Sequence, residues 1–236
     1  KLHGLMRERG LSSVSMLQDR VLHETGASHA LLRAFSVQPA PMFADPAWAL
    51  RLRSVIGSSL HASPVPRIWL PECGGAEEAW TLAILLMEEQ LLVRTEIHAT
   101  VANEEILAEV RDAGIDPARL DEYQRRYADS GGRCMLADYL ESRDGRLVLR
   151  PQLQARISWA QYNLVTDASF NEFDLIACRN ALLDFGPPLR ARVLWLFHDS
   201  LARFGVLCLD HPFGAGDPLA LHYQALPQAP NSYKRK

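Results

Sequence analysis

Residues 67–87, RIWLPECGGAEEAWTLAILLM, constrain the fold of this chain more than any other stretch. Ile68-Trp69-Leu70 is a short apolar run of the kind a buried strand needs. Glu72-Cys73-Gly74-Gly75-Ala76 breaks it, and Ala79, Trp80, Ala83, Leu86 and Met87 then recur at helical spacing. Glu77 and Glu78 put acidic charge in the first turn, at the positive end of the helix dipole. Strand, glycine turn and helix in that order form the first crossover of a nucleotide-binding α/β domain. The turn by itself admits two readings. Glycine adopts φ > 0 cheaply, so the turn can be purely structural, or its backbone can cradle a ligand.

Composition narrows the class. With 236 residues, 48% apolar and 22% charged, the chain suits one large globular domain, or one with a small appendage. A net charge of -3 gives no bulk attraction to nucleic acid, so none is expected as a partner, although a local basic patch stays open. The longest apolar run, near residues 80–87, is too short to span a bilayer, so membrane insertion is not expected. No signal peptide is visible. The four cysteines, Cys73, Cys134, Cys178 and Cys208, form no C-x-x-C, which signals neither a metal site nor a disulfide framework and suits a reducing, cytoplasmic setting. His198 and His211 read as surface or polar-core residues. The start at Lys1 rather than Met reads as a fragment of something longer.

Along the chain, residues 1 to 35 read as helical, with Ser12-Ser13 as a cap region and Gly26 as a stop. Residues 36–46 (SVQPAPMFADP) are a proline-rich connector in which Met42 and Phe43 must pack on something. A helix over 48–60 leads to the strand and glycine turn. Residues 93–100, then Asn103 as the cap of a helix ending at Gly114, make a second βα unit. Residues 115–156 break the rhythm. Ser142-Arg143-Asp144-Gly145 is a hairpin signal, so this region is either a small antiparallel insertion or an elaborated crossover. Residues 173–178 (FDLIAC) suit a central strand covered on both faces. Pro187-Pro188 opens a helix expected to run to Gly205, followed by a strand over 206–209 and a closing antiparallel pair, 219–224 with 232–236.

Several separated pieces share their order and spacing with one family. They are Ala76-Glu77-Glu78-Ala79-Trp80-Thr81-Leu82-Ala83, residues 97–103 (IHATVAN), Tyr162-Asn163-Leu164, residues 173–185 (FDLIACRNALLDF), residues 205–211 and Tyr233-Lys234-Arg235. Together they resemble the CheR-type chemoreceptor (protein-glutamate) methyltransferases, which carry G-E-E-P-Y-S-I-A, I-x-A-T-D-I-S, x-N-L, F-D-L-I-F-C-R-N-V-L-I-Y-F, G-x-L-x-x-G-H and Y-x-R. The resemblance implies an α/β fold. Its core is a Rossmann-like, mostly parallel seven-stranded sheet with the last pair antiparallel. An N-terminal helical subdomain and linker would span residues 1–60 and the methyltransferase-like domain 61–236, with a small antiparallel insertion at 115–156. It also implies S-adenosylmethionine (SAM) as methyl donor, a receptor glutamate as acceptor, and a chemoreceptor or other signalling protein as partner. The insertion lies where some members dock a receptor tail peptide. Of the family's donor contacts, Gly74, Glu78, Asn163, Leu164, Arg179 and Asn180 survive.

The departures bear on the chemistry. The carboxylate that receives the ribose hydroxyls falls on Val101, and losing such a bond costs about 1.5–3 kcal/mol, or roughly ten- to a hundred-fold in affinity. The T-x-F-F-R-D loop falls on Ala40-Pro41-Met42-Phe43-Ala44-Asp45, so its threonine becomes Ala40 and its arginine Ala44. The tyrosine near the transferable methyl becomes Asp184, which adds negative charge where a glutamate would approach. The last glycine of the turn becomes Ala76. The survivors have structural readings too: Glu78 for the helix dipole, Asn163 for a strand end, and Arg179 as the partner of Asp174 or Asp184. The expectation is a degenerate member, a pseudoenzyme serving as a non-catalytic binding or regulatory module, with no catalytic residue assigned. The alternative is an active SAM-dependent protein-glutamate O-methyltransferase with altered ligand contacts.

Overall fold

The structure, a computed structural model, describes residues 1–214 and 217–236. Four helices come first: α1 (Leu2–Glu8), α2 (Val14–His23), α3 (Thr25–Phe35) and α4 (Pro46–Ser59). Ser13 and Asp45 cap α2 and α4 by accepting the amides of Met16 and Trp48. Gly26 is not a helix stop. The break is made by Glu24, whose backbone is extended (φ -120), and Gly26 lies inside α3. Helices α1 to α3 share a small core of Leu5, Met6, Leu11 and Leu17, whereas α4 sends Trp48, Leu52, Val55 and Ile56 into the main core.

The α/β part follows as β1 (Arg67–Leu70), α5 (Ala76–Glu88), β2 (Glu96–Val101), α6 (Glu104–Arg111), α7 (Leu120–Asp129), β3 (Leu140–Arg143), β4 (Arg146–Leu149), α8 (Pro151–Gln154), β5 (Ile157–Gln161), β6 (Phe173–Cys178), α9 (Pro187–Ser200), β7 (Leu201–Leu209), β8 (Tyr223–Ala225) and β9 (Ser232–Arg235). Seven strands form one mixed, mostly parallel sheet in the order β5-β2-β1-β6-β7-β9-β8. Strand β9 runs antiparallel to both β7 and β8. The sheet is covered on both faces, so its central strands are apolar throughout. Ile68, Leu70, Leu175 and Val206 face α4 and α5, while Trp69, Phe173, Ile176 and Leu207 face α9. Strand order reverses between β1 and β6, and the ends of those strands are where α/β sheets place a ligand.

The region before β5 is a separate antiparallel pair, β3 with β4, turning at Asp144 (φ 51) and Gly145 (φ 77), as a two-residue hairpin turn requires. Residues 136–139, immediately before β3, form a 3-10 turn. Near the end of the chain, Pro218–His222 is likewise a 3-10 turn, so β8 is only three residues long.

The helix opened by Pro187-Pro188 stops at Ser200, and Gly205 lies inside β7. Phe204 there has φ 68, and the pairing of β6 with β7 shifts register between Phe173↔Leu201 and Leu175↔Val206. This irregularity spaces Leu201 and Phe204 as a helix would. Glycine is needed at 205 because an added Cβ would fall 2.9 Å from the Ala202 carbonyl oxygen.

Candidate functional site

Beyond β1 the chain turns through Glu72, which holds φ 53. Thr100 of β2 ties this turn to the sheet. Its carbonyl accepts the Cys73 amide (2.7 Å), and its Oγ1 accepts Trp69 Nε1 (3.0 Å) and the Glu72 amide (3.4 Å). Gly74 follows in a conformation open to any residue, so its need for glycine lies elsewhere. A Cβ built on it would stand 2.5 Å from the backbone C and O of Gln38 and 2.7 Å from the Val37 carbonyl oxygen. One built on Gly75 would stand 3.1 Å from Pro39 Cβ. The glycine turn is therefore a site of close approach, and what approaches it is the chain's own connector.

That connector is pinned at both ends. Toward α3, Lys1 Nζ donates to the carbonyls of Phe35 (3.0 Å) and Ser36 (3.3 Å) and pairs with Asp184 at 2.6 Å. Toward α4, Glu77 accepts the Met42 amide (2.7 Å) and Thr81 Oγ1 the Phe43 amide (3.2 Å). Met42 and Phe43 are fully buried in the main core, which answers what these loop residues pack on.

Glu78 and Arg179 come together in a cavity of about 20 Å³, lined also by Ala40, Ala44, Asp45 and Thr81. That volume holds about one water. Arg179 lies 3.9 Å from Asp45. It does not pair with Asp174, which accepts the Arg67 amide, or with Asp184, which is taken by Lys1. Burial pushes the Glu78 carboxyl up to about 7, against the pull of Arg179 and with the push of Asp210. Glu72 is likewise pushed up to about 7, first by burial, with Lys1 opposing and Asp184 reinforcing.

These shifts set a pH dependence. Both folded values lie above the ordinary 4.5, so the folded state favours the protonated carboxyls. The stability they contribute is fully present below about pH 4.5 and is lost as pH rises through about 7, on the order of 1–3 kcal/mol per group. Urea midpoints should fall between pH 5 and pH 8, and Glu78→Gln should flatten that fall. An unchanged slope in the variant would count against the burial of Glu78.

The remaining candidates lie apart from this cavity. Asn163 is exposed and serves a local turn, its Oδ1 accepting the Val165 amide and its own N–H donating to Asp167. Leu164 is buried in the core on the α9 side of the sheet. Asn180 takes φ 63, which asparagine tolerates, and its amide donates to Asp210 (2.9 Å). Val101 is fully buried among apolar side chains at the end of β2. Sequence reasoning passed over Lys1, Glu72, Glu77 and Thr81 as parts of this site. Only Glu72 and Glu77 carried a signal, by their place beside the glycine turn.

The family described as CheR methyltransferase, SAM binding domain, matches residues 42–213, and the chain belongs to it. The putative methyltransferase Cher3 of Pseudomonas putida is 36% identical over 208 residues, covering 88% of this chain and 76% of that protein. Chemotaxis protein methyltransferase 1 of Pseudomonas aeruginosa is 26% identical over 254 residues, covering 98% of this chain and 85% of that protein. Among solved structures, the glycopeptide N-methyltransferase MtfA aligns with a TM-score of 0.41 at 15% identity, covering 77% of this chain and 60% of that one.

The arrangement can be tested for the cofactor in the family's description. A methyl donor at this switch point needs open space against Gly74 and a pocket on the order of 300 Å³ or more. Here the backbone of Gln38 lies against Gly74, and the adjoining cavity is about 20 Å³. Among the described residues no helix is long and apolar enough to cross a membrane.

Proposed function

We propose that this chain is a CheR-like domain of bacterial chemosensory signalling in which the donor site is degenerate, so that it works in the cytoplasm as a non-catalytic binding or regulatory module. Its partner is a chemoreceptor or another signalling protein, the setting named for the chemotaxis methyltransferases it resembles. Its parts are a helical subdomain with linker over residues 1–60 and a methyltransferase-like domain over 61–236. The observation that carries this reading is the backbone of Val37 and Gln38 lying against Gly74, where a donor would have to lie. Ala44, Val101 and Asp184 support it independently. Each sits where the family has a polar or aromatic contact, and Val101 is sealed in the core. Calorimetric titration of the chain with SAM and with S-adenosylhomocysteine is expected to show no binding in the micromolar range, and a low-micromolar Kd would overturn the reading.

One observation favours an active SAM-dependent protein-glutamate O-methyltransferase instead. Glu78 and Arg179, an acid and a guanidinium, face the same small cavity, a disposition suited to the ammonium and carboxylate of a donor's amino-acid end. The other surviving family contacts, Gly74, Asn163, Leu164 and Asn180, lie outside that cavity and would have to be brought to it. Transfer of radiolabelled methyl to receptor fragments separates the two readings.

A further inference from the structure

Resting on the reading of this site as a donor pocket closed by the chain itself, we propose that residues 36–39 are a removable strap standing in the donor's place, with the Lys1–Asp184 ion pair as its latch. Toward the α/β body the middle of the strap is held by contact alone, since the Gln38 side chain donates to the Arg33 and Ser36 carbonyls on its own side. Among the described residues, Val37, Gln38 and Pro39 make no backbone hydrogen bond to the α/β body, whereas the flanking residues 36, 42 and 43 are bonded down. Pro39 and Pro41 have no N–H to bond and stiffen the span, so that lifting it pulls on the bonded amides of Met42 and Phe43.

The latch is suited to opening. Lys1 and Asp184 are 30% and 47% exposed, and an ion pair that open contributes no more than roughly a factor of five to an equilibrium. Lys1 adds two hydrogen bonds to strap carbonyls. Its ammonium also acts on Glu72, whose carboxyl is affected by Asp184 as well. Withdrawal of Lys1 would leave the Asp184 carboxylate at the mouth with no cation beside it, and the Glu72 carboxyl, no longer held down by the ammonium, more readily protonated until another cation arrives. Such a mouth takes a cationic ligand, the class to which a sulfonium or ammonium donor belongs. The chain's own lysine is then a stand-in for the ligand's positive charge, as the strap is for its body.

The experiment uses the full chain with Lys1→Met, Asp184→Asn and the double variant. Two quantities are read: amide exchange of the peptide carrying Met42 and Phe43, and affinity for SAM by calorimetry, with S-adenosylhomocysteine, which lacks the sulfonium charge, as the comparison. Asp184→Asn, which breaks the ion pair alone, is expected to speed exchange roughly two- to fivefold, Lys1→Met, which also loses two hydrogen bonds, roughly three- to tenfold, and the double variant no further than Lys1→Met. Affinity should rise by the same factor in Lys1→Met, which keeps the Asp184 carboxylate, since apparent affinity scales with the open fraction, and by less in Asp184→Asn, which removes it. Unchanged exchange in the variants overturns the latch. Faster exchange in Lys1→Met without any gain in affinity overturns the strap as an occupant. Tight binding by the unaltered chain with exchange at Met42 and Phe43 raised on binding would keep the strap and overturn the non-catalytic function. Tight binding with exchange unchanged would overturn both.

Discussion

Arg53→Ala is expected to cost about 3–5 kcal/mol of folding stability, equivalent to a melting temperature lower by about 6–20 °C. Arg53 of α4 is 9% exposed and pairs with Glu88 of α5, which is 2% exposed. Its Nε donates to the Ser130 carbonyl at 2.9 Å. The other oxygen of Glu88 accepts the Tyr127 hydroxyl and the Arg133 amide, and the Tyr127 hydroxyl in turn accepts the amides of Arg133 and Cys134. Truncation removes the countercharge and leaves the carboxylate in the core, where an unpaired ion is most costly. Arg53→Met combined with Glu88→Gln removes both charges and should be the milder change, which distinguishes an orphaned charge from a simple packing loss. Urea unfolding with an unchanged m-value is the measurement. A loss under about 1 kcal/mol for Arg53→Ala would mean that water reaches Glu88.

This pair shows what a sequence withholds. Arg53 and Glu88 are spelled like any solvated charges on a helix, and only the packing of α4 on α5 makes them interior. The sheet was legible for the opposite reason. FDLIAC and RIWL are apolar on both faces, which only a covered strand tolerates, and the structure pairs them at the switch point. Strand β7 was misread at its start because the irregularity at Phe204 gave Leu201 and Phe204 a helical spacing.

The candidate site was legible in its covalent parts and opaque in its contacts. Gly74 stood out as a turn with a reason, but spacing alone cannot say whether a ligand or a distant stretch of the same chain lies against it. Glu78 and Arg179, separated by a hundred residues, were both singled out and do share a cavity. The bond between Lys1 and Asp184 spans nearly the whole chain, and neither residue type announces it.

Val101→Asp would restore the family's ribose carboxylate, and it is expected to destabilise the chain by about 4 kcal/mol at neutral pH. Val101 is fully buried at the last position of β2, opposite Gln161 of β5, with its carbonyl taken by the Tyr162 amide. A carboxyl placed there without donors has its pKa raised by roughly 3 units or more, and each unit is worth 1.36 kcal/mol. The sign is fixed by linkage. Below about pH 4 the new side chain is neutral in both states and only its polarity is a burden. Above that, the unfolded chain ionises while the folded chain resists, so stability falls until the folded carboxyl ionises in turn. Urea midpoints of variant and parent should therefore lie closer at pH 4.5 than at pH 8, after allowance for the parent's own decline from Glu72 and Glu78. If the variant instead matches the parent at pH 8 and gains affinity for S-adenosylhomocysteine, the aspartate has found ribose hydroxyls rather than an apolar wall. The strand end would then retain the shape of a working donor site, and a single residue, not the closing of the cleft, would set the affinity of this chain for the donor.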